Sequence, residues 1–230
     1  MLGRFELLFS LLVPWIIAGV VYPLLRRRKH RKLPPGSYAS KNAKARTDEE
    51  APGTRWSRLG VKFTYGVENT MQLVVVVLCI FNLWSAVPWF IALDLPIWLN
   101  WLGIFGLWFQ YAWQIATLAY NVNFIDAKEP MKPQHVLATG GPYRLVRHPM
   151  YINYVVVTFF VFFATGIWVV LFAALGWVGL IRQAEAEEEA LEKRFGKIYT
   201  TYAARTGRFF PRLRHQRGSA LLERVTKTST

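Results

Sequence analysis

The stretch "MYINYVVVTFFVFFATGIWVVLFAALGWVGLI", residues 150–181, contains no Asp, Glu, Lys or Arg. As one straight helix it would run about 48 Å at ~1.5 Å per residue, far beyond a hydrocarbon core ~30 Å thick. Its flanks decide the geometry. Arg144 and Arg147 precede it and the charge-dense "RQAEAEEEALEKRFG" of residues 182–196 follows. Basic flanks stay on the cytoplasmic side and a glutamate-rich helix cannot lie in lipid, so both ends belong on one face. The block therefore reads as a helical hairpin turning near Thr165-Gly166, with arms of roughly 22–24 Å, short for a full crossing. One consequence reaches the chemistry: "GPYRLVRHPMY" at residues 141–151 and the glutamates about 40 residues later return to the same face and can share a site.

Working outward, an apolar run from about Phe5 to Leu25 precedes "RRRKHRK" and reads as a retained anchor with an outward amino terminus. Residues 33–60, rich in Pro, Gly, Ser and charge, read as a loop. A second span is expected over Val67 to Leu93, interrupted near Pro88, and a third over Ile97 to Tyr120, with Asp94 and Pro96 at the turn between them. The third span carries Trp98, Trp101, Phe105, Trp108, Phe109, Tyr111 and Trp113, read as an interfacial belt and packing surface. Together these give an all-α fold, a polytopic transmembrane helical bundle of about five membrane helices including the carboxy-terminal hairpin. The expected divisions are 1–62 (anchor and basic loop), 63–120 (helix pair), 121–215 (core with the motifs) and 216–230 (basic tail).

Composition agrees. Of 230 residues, 53% are hydrophobic and 16% aromatic, which does not suit a soluble domain with a polar skin. The net charge of +14 would suit nucleic acid, but the 28 Lys and Arg residues avoid 63–127 and 148–181 altogether. That alternation is the positive-inside pattern, and it argues against nucleic acid as a partner. The partner it implies is the lipid bilayer. The single cysteine, Cys79 in "VVVVLCIF", excludes an intrachain disulfide and a cysteine-rich metal site and reads as a small packed hydrophobe. No metal site is expected.

Within residues 141–151, Gly141-Pro142 suits a turn and Pro149 suits the first position of the following helix, leaving His148 near its N-cap. Free backbone N–H groups and the positive dipole end can hold a carboxylate or phosphate there. Arg144 and Arg147 either strengthen that character or anchor to anionic lipid; spacing leaves both open. Further on, Glu189 and Lys193 are spaced as an exposed pair, while Leu191, Phe195 and Tyr199 recur every four residues and can turn Glu187 or Glu188 toward the site.

"HVLATGGPYRLVRHPMYINY", a hairpin, then "EEEALEKRFGKIYTTYAARTGRFFP" resembles the isoprenylcysteine carboxyl methyltransferase and phospholipid methyltransferase superfamily of integral membrane enzymes, over roughly His135 to Pro211. The resemblance implies a methyltransferase that uses S-adenosylmethionine at the cytoplasmic face, with a hydrophobic or lipid-like substrate. It implies that His135, Val136, Leu137, Ala138, Tyr143, Arg147, His148, Pro149, Met150, Tyr151 and Glu187 bind the cofactor, and it makes Glu188 and Arg182 candidate catalytic residues. Carboxyl-methylating members place a substrate-orienting arginine four residues before the Glu-Glu pair. Gln183 stands there in this chain and Arg182 is turned by about 100° on a helix, which weakens the case for a carboxylate acceptor. A lipid amine, a hydroxyl or a small thiol stays open. Substrate is expected to arrive from the bilayer between the third span and the hairpin. Two rival readings are a non-enzymatic membrane scaffold or transporter, and a membrane reductase resembling the sterol reductases; the latter group has more spans than this length allows.

Overall fold

A computed structural model describes residues 3–30, 52–121 and 136–212. Every regular element among them is helical: α1 (Arg4–His30), α2 (Arg55–Phe81), α3 (Ile97–Tyr120), α4 (Pro149–Thr165), α5 (Trp177–Phe195) and α6 (Lys197–Arg205), with 3-10 turns at Trp84–Ala86 and Gly141–Arg144 and a longer 3-10 stretch at Trp168–Gly176. This is an all-α membrane bundle. Three segments are long and apolar enough to cross a bilayer: Phe5–Leu25, Arg55–Phe81 and Trp168–Phe195. α3 has the length but carries Asn100, Gln110 and Gln114, while α4 is a shorter apolar helix of 17 residues.

The hairpin turns where the sequence places it. α4 ends at Thr165, and Gly166 adopts a left-handed φ of 74°. Only glycine fits, because a Cβ there would stand 2.1 Å from the Leu93 carbonyl oxygen. Leu93 N–H donates to that glycine's carbonyl at 2.9 Å, and Trp168 N–H donates to the Ile91 carbonyl at 3.2 Å, so the outer loop clamps the turn. The returning arm starts as the 3-10 stretch and runs directly into α5. At ~2.0 Å rise, nine 3-10 residues reach further than α-helix would, which lengthens an otherwise short arm.

The second span differs from expectation at both ends. α2 begins at Arg55, where Thr54 Oγ1 accepts from Ser57 N–H at 3.1 Å, so residues 55–60 are helical and the division between 62 and 63 falls inside a helix. It stops at Phe81, with Asn82 in the left-handed conformation at φ 54°, well before Pro88. α5 also breaks at Gly196, so Tyr199 projects from α6 and does not extend the face of Leu191 and Phe195.

Close packing fixes the helix order. A Cβ on Gly103 would lie 2.3 Å from Ala164 N, so α3 and α4 meet backbone to backbone. Gly60 and Gly179 likewise bring α2 against α5. α3 therefore packs closely on α4 near the turn of the hairpin, and α2 on α5. Leu7, Leu11, Val75, Cys79, Ile104, Leu107, Val161 and Ala164 form the main apolar core. Tyr151, Leu180 and Ala184 form a second one toward the opposite end, near the motifs. Trp98, Trp101, Phe105, Trp108 and Phe109 face outward, as a lipid-facing belt would, whereas Tyr111 is buried and Trp113 Nε1 donates to the Pro149 carbonyl at 3.0 Å.

Candidate active site

The two motifs meet at the end of the bundle formed by the start of α4 and the latter half of α5. His148 occupies the N-cap position of α4 without capping through its side chain. Its Nε2 lies 3.0 Å from Glu188 Oε1 and its Nδ1 3.7 Å from Glu187 Oε2. Tyr151 Oη donates to Glu187 Oε1 at 2.5 Å, and the Tyr151 ring stacks on the imidazole with centroids 5.5 Å apart. Residues about 40 positions apart therefore form one cluster.

The two glutamates differ in their surroundings. Glu188 takes a bidentate pair from Arg147 (Nε 2.9 Å, Nη2 3.2 Å) and a second from Arg208 (Nε 3.1 Å, Nη2 2.9 Å). Arg147 also donates to the Ala203 and Thr206 carbonyls. The charge of Arg147 is thus matched by Glu188. Arg208 and its neighbours were not singled out in the sequence, yet His148 N–H and Arg147 N–H donate to the Arg208 and Gly207 carbonyls at 3.1 and 2.8 Å, so this tail segment lies along the motif. The Glu188 carboxylate holds the Arg208 guanidinium even further above its usual range. Glu187 faces no arginine in these contacts; besides Tyr151 and His148 it accepts from Gln183 Nε2 at 3.4 Å.

Gln183, where the carboxyl-methylating relatives would have arginine, is fully buried. It accepts from Ser57 Oγ at 2.8 Å and donates to the Pro52 carbonyl at 2.9 Å. Arg182 is not brought to the cluster: its side chain is 72% exposed and pairs with Glu185 at 3.3 Å.

On the other side of His148 lies a narrow cleft of about 50 Å³, lined by Leu137, Ala138, Tyr143, Arg147 and His148 from the motif and by Asn121, Leu191, Tyr199 and Tyr202. Tyr202 Oη donates to the Tyr143 carbonyl at 2.7 Å and Asn121 Nδ2 donates to Tyr143 Oη at 3.1 Å. Burial pushes the Tyr143 and Tyr202 hydroxyls well above the usual phenol range, so both stay neutral. Two buried polar atoms on this cleft, Tyr199 Oη and Asn121 Oδ1, have no partner among the described residues. Pro149, Met150 and Tyr151 are buried beside it, Val136 is exposed, and Glu189 and Arg144 point to solvent. His135 lies outside the described residues, as does the tail 216–230.

Fold and site together define a helical membrane protein with a polar, aromatic cluster at one end of its bundle. The family model described as phospholipid methyltransferase, a family within the isoprenylcysteine and phospholipid methyltransferase superfamily, matches residues 95–198. The match supports a membrane methyltransferase. No curated protein matches the chain.

Proposed function

We propose that the protein is an S-adenosylmethionine-dependent methyltransferase with its active site on the cytoplasmic face, acting on a lipid-like acceptor or a small thiol. The observation that carries this reading is the junction of His148 and Tyr151 with Glu187 and Glu188 beside a cleft that has orphaned polar atoms. The residues present suit the cofactor. Tyr143, Tyr199 and Tyr202 offer aromatic faces, Leu137, Ala138 and Leu191 an apolar floor, and Tyr199 Oη and Asn121 Oδ1 hydrogen-bonding capacity that nothing among the described residues uses. Glu187 can accept from an ammonium or a ribose hydroxyl. When bound, the cofactor supplies a methyl group on a sulfonium. The chain's own residues hold and orient, and the acceleration they offer is mainly that of alignment. Ligand pockets usually occupy about 300–1,000 Å³, so the present cleft has to widen to admit a nucleoside.

Calorimetric titration of the purified protein with S-adenosylmethionine tests this. His148→Ala and Glu187→Ala should each weaken binding by about 1.5–3 kcal/mol, the range of a charge-assisted hydrogen bond. Glu189→Ala should leave it unchanged. Unaltered affinity in both His148→Ala and Glu187→Ala would sink the assignment of the site.

A further inference from the structure

Glu188 has no accepting capacity left for a ligand. Its Oε1 is met by Arg147 Nε, Arg208 Nε and His148 Nε2, and its Oε2 by Nη2 of both arginines, all at 2.9–3.2 Å. Glu187 is arranged unequally. Both of its hydrogen bonds fall on Oε1, from Tyr151 Oη at 2.5 Å and from Gln183 Nε2 at 3.4 Å. Its Oε2 has no hydrogen-bond partner among the described residues, and His148 Nδ1 stands 3.7 Å away. The Glu187 side chain is also the more open of the two, 26% exposed against 13% for Glu188. Glu187 Oε2 is therefore the carboxylate oxygen of this pair that can still accept.

Gln183 lies one helical turn before Glu187 on α5 and is fully buried. Its amide sits in a socket made by the residues that lead into α2: Nε2 donates to the Pro52 carbonyl at 2.9 Å, and Oε1 accepts from Ser57 Oγ at 2.8 Å. A carbonyl and a carboxylate only accept, so the NH2 end must lie toward Pro52 and Glu187, and the amide has one orientation. Gly53 permits this approach. Its φ of 84° is left-handed, and a Cβ there would stand 2.3 Å from Gln183 Oε1. An aliphatic side chain at this position would bring no donor, and a carboxylate would set oxygen against the Pro52 carbonyl and Glu187. The socket thus suits an amide and passes one of its N–H groups on to Glu187.

We propose that Gln183 is a positioning residue: with Tyr151 it pins Glu187 Oε1, so that Oε2 is presented in a fixed place to an ammonium or hydroxyl donor of the ligand. This rests on the S-adenosylmethionine reading of the site. It adds residues 52–57 to the site's support, although they lie outside the matched segment 95–198. A glutamate side chain that is free beforehand loses rotamer freedom when the ligand binds, whereas one already held does not, and binding is tighter by that difference.

Calorimetric titration of the full chain with S-adenosylmethionine, arranged as a double-mutant cycle, tests the proposal. Gln183→Met, which nearly keeps the volume and removes the amide, should weaken binding about three- to tenfold, as the loss of one hydrogen bond does. In a Glu187→Ala background the same substitution should change affinity little, because a residue that acts through Glu187 has nothing left to act on. Gln183→Asn, too short to reach Glu187 from the same socket, gives the same reading if Gln183→Met does not fold. The proposal is overturned if both Gln183→Met and Gln183→Asn bind as wild type does. It is overturned equally if they lose as much affinity in the Glu187→Ala background as alone, which would leave Gln183 a packing residue only. If Glu187→Ala by itself binds like wild type, Glu187 holds no ligand and the proposal falls with that assignment. A wild type that takes up no S-adenosylmethionine overturns the methyltransferase reading itself, a result distinct from binding without coupling, which overturns the role of Gln183 alone.

Discussion

Glu187 and Glu188 are neighbours on α5, and their environments assign them different work. Glu188, 13% exposed at its side chain, is enclosed by Arg147, Arg208 and His148. It ties α5 to the motif and to the tail beyond α6. Removing its charge strands Arg147, whose side chain is only 10% exposed. Breaking a buried pair in this way costs about 3–5 kcal/mol, so Glu188→Gln should lower the thermal unfolding midpoint strongly. Glu189→Ala should barely move it. Arg182 belongs with Glu189: as an exposed pair with Glu185 it contributes roughly 0–1 kcal/mol, and Arg182→Ala should leave both stability and methyl-transfer rate near wild type. A large fall in rate with cofactor affinity intact would restore Arg182 as a substitute for the missing arginine. Gln183→Leu should destabilise by about 1–3 kcal/mol, because Ser57 Oγ loses its buried acceptor.

At the scale of elements, α3 and α4 are joined by a seam that only small residues permit, and two glycines within it should respond differently. A Cβ at Gly103 meets the Ala164 backbone at 2.3 Å, which cannot yield without moving α4. At Gly106 it meets the Phe160 ring at 2.2 Å, and a side chain can turn. Gly103→Ala should therefore cost at least the ~1–3 kcal/mol typical of overpacking, and Gly106→Ala less, since the Phe160 ring can turn aside while the Ala164 backbone cannot. Unfolding midpoints in detergent rank the two; equal losses would mean the seam is plastic. The hairpin itself was legible in the sequence, because basic flanks and a glutamate-rich continuation leave a long apolar block no other course. The ends of α2 were not. Thr54 caps locally inside a polar run that reads as loop, and Asn82 stops the helix through a left-handed conformation that its apolar surroundings conceal, while Pro88 looked like the natural break. The site was half legible. His148, Tyr151 and Glu187 stand in a recognisable pattern, whereas Arg208 joins through pairing of the tail with Arg147 and His148.

For the whole molecule, the distribution of basic residues bears on which way the bundle sits in the bilayer. Twelve of the Lys and Arg residues fall between Arg26 and Lys62, four between Lys128 and Arg147 and eleven between Arg182 and Lys227. The described parts of these segments gather at one end, with Gln183 bonded to Ser57 and Pro52, and Arg147 bonded to Glu188. The opposite end carries Asp94, Gly166 and the apolar loop through Trp89 and Phe90, with no basic residue from Phe63 to Ala127. From the positive-inside rule we expect the basic end in the cytoplasm and the amino terminus outside. The charge bias is large enough that reversal would require translocating many cations at once. Single-cysteine variants on a Cys79→Ala background should show Lys128→Cys and Lys197→Cys shielded from a membrane-impermeant maleimide in sealed cells and labelled after permeabilisation. Asp94→Cys should react without permeabilisation. If Lys128→Cys and Lys197→Cys labelled from opposite faces, the block 150–181 would cross once instead of returning. His148 and Glu187 would then be parted by the bilayer, and the shared site would be lost with that single result.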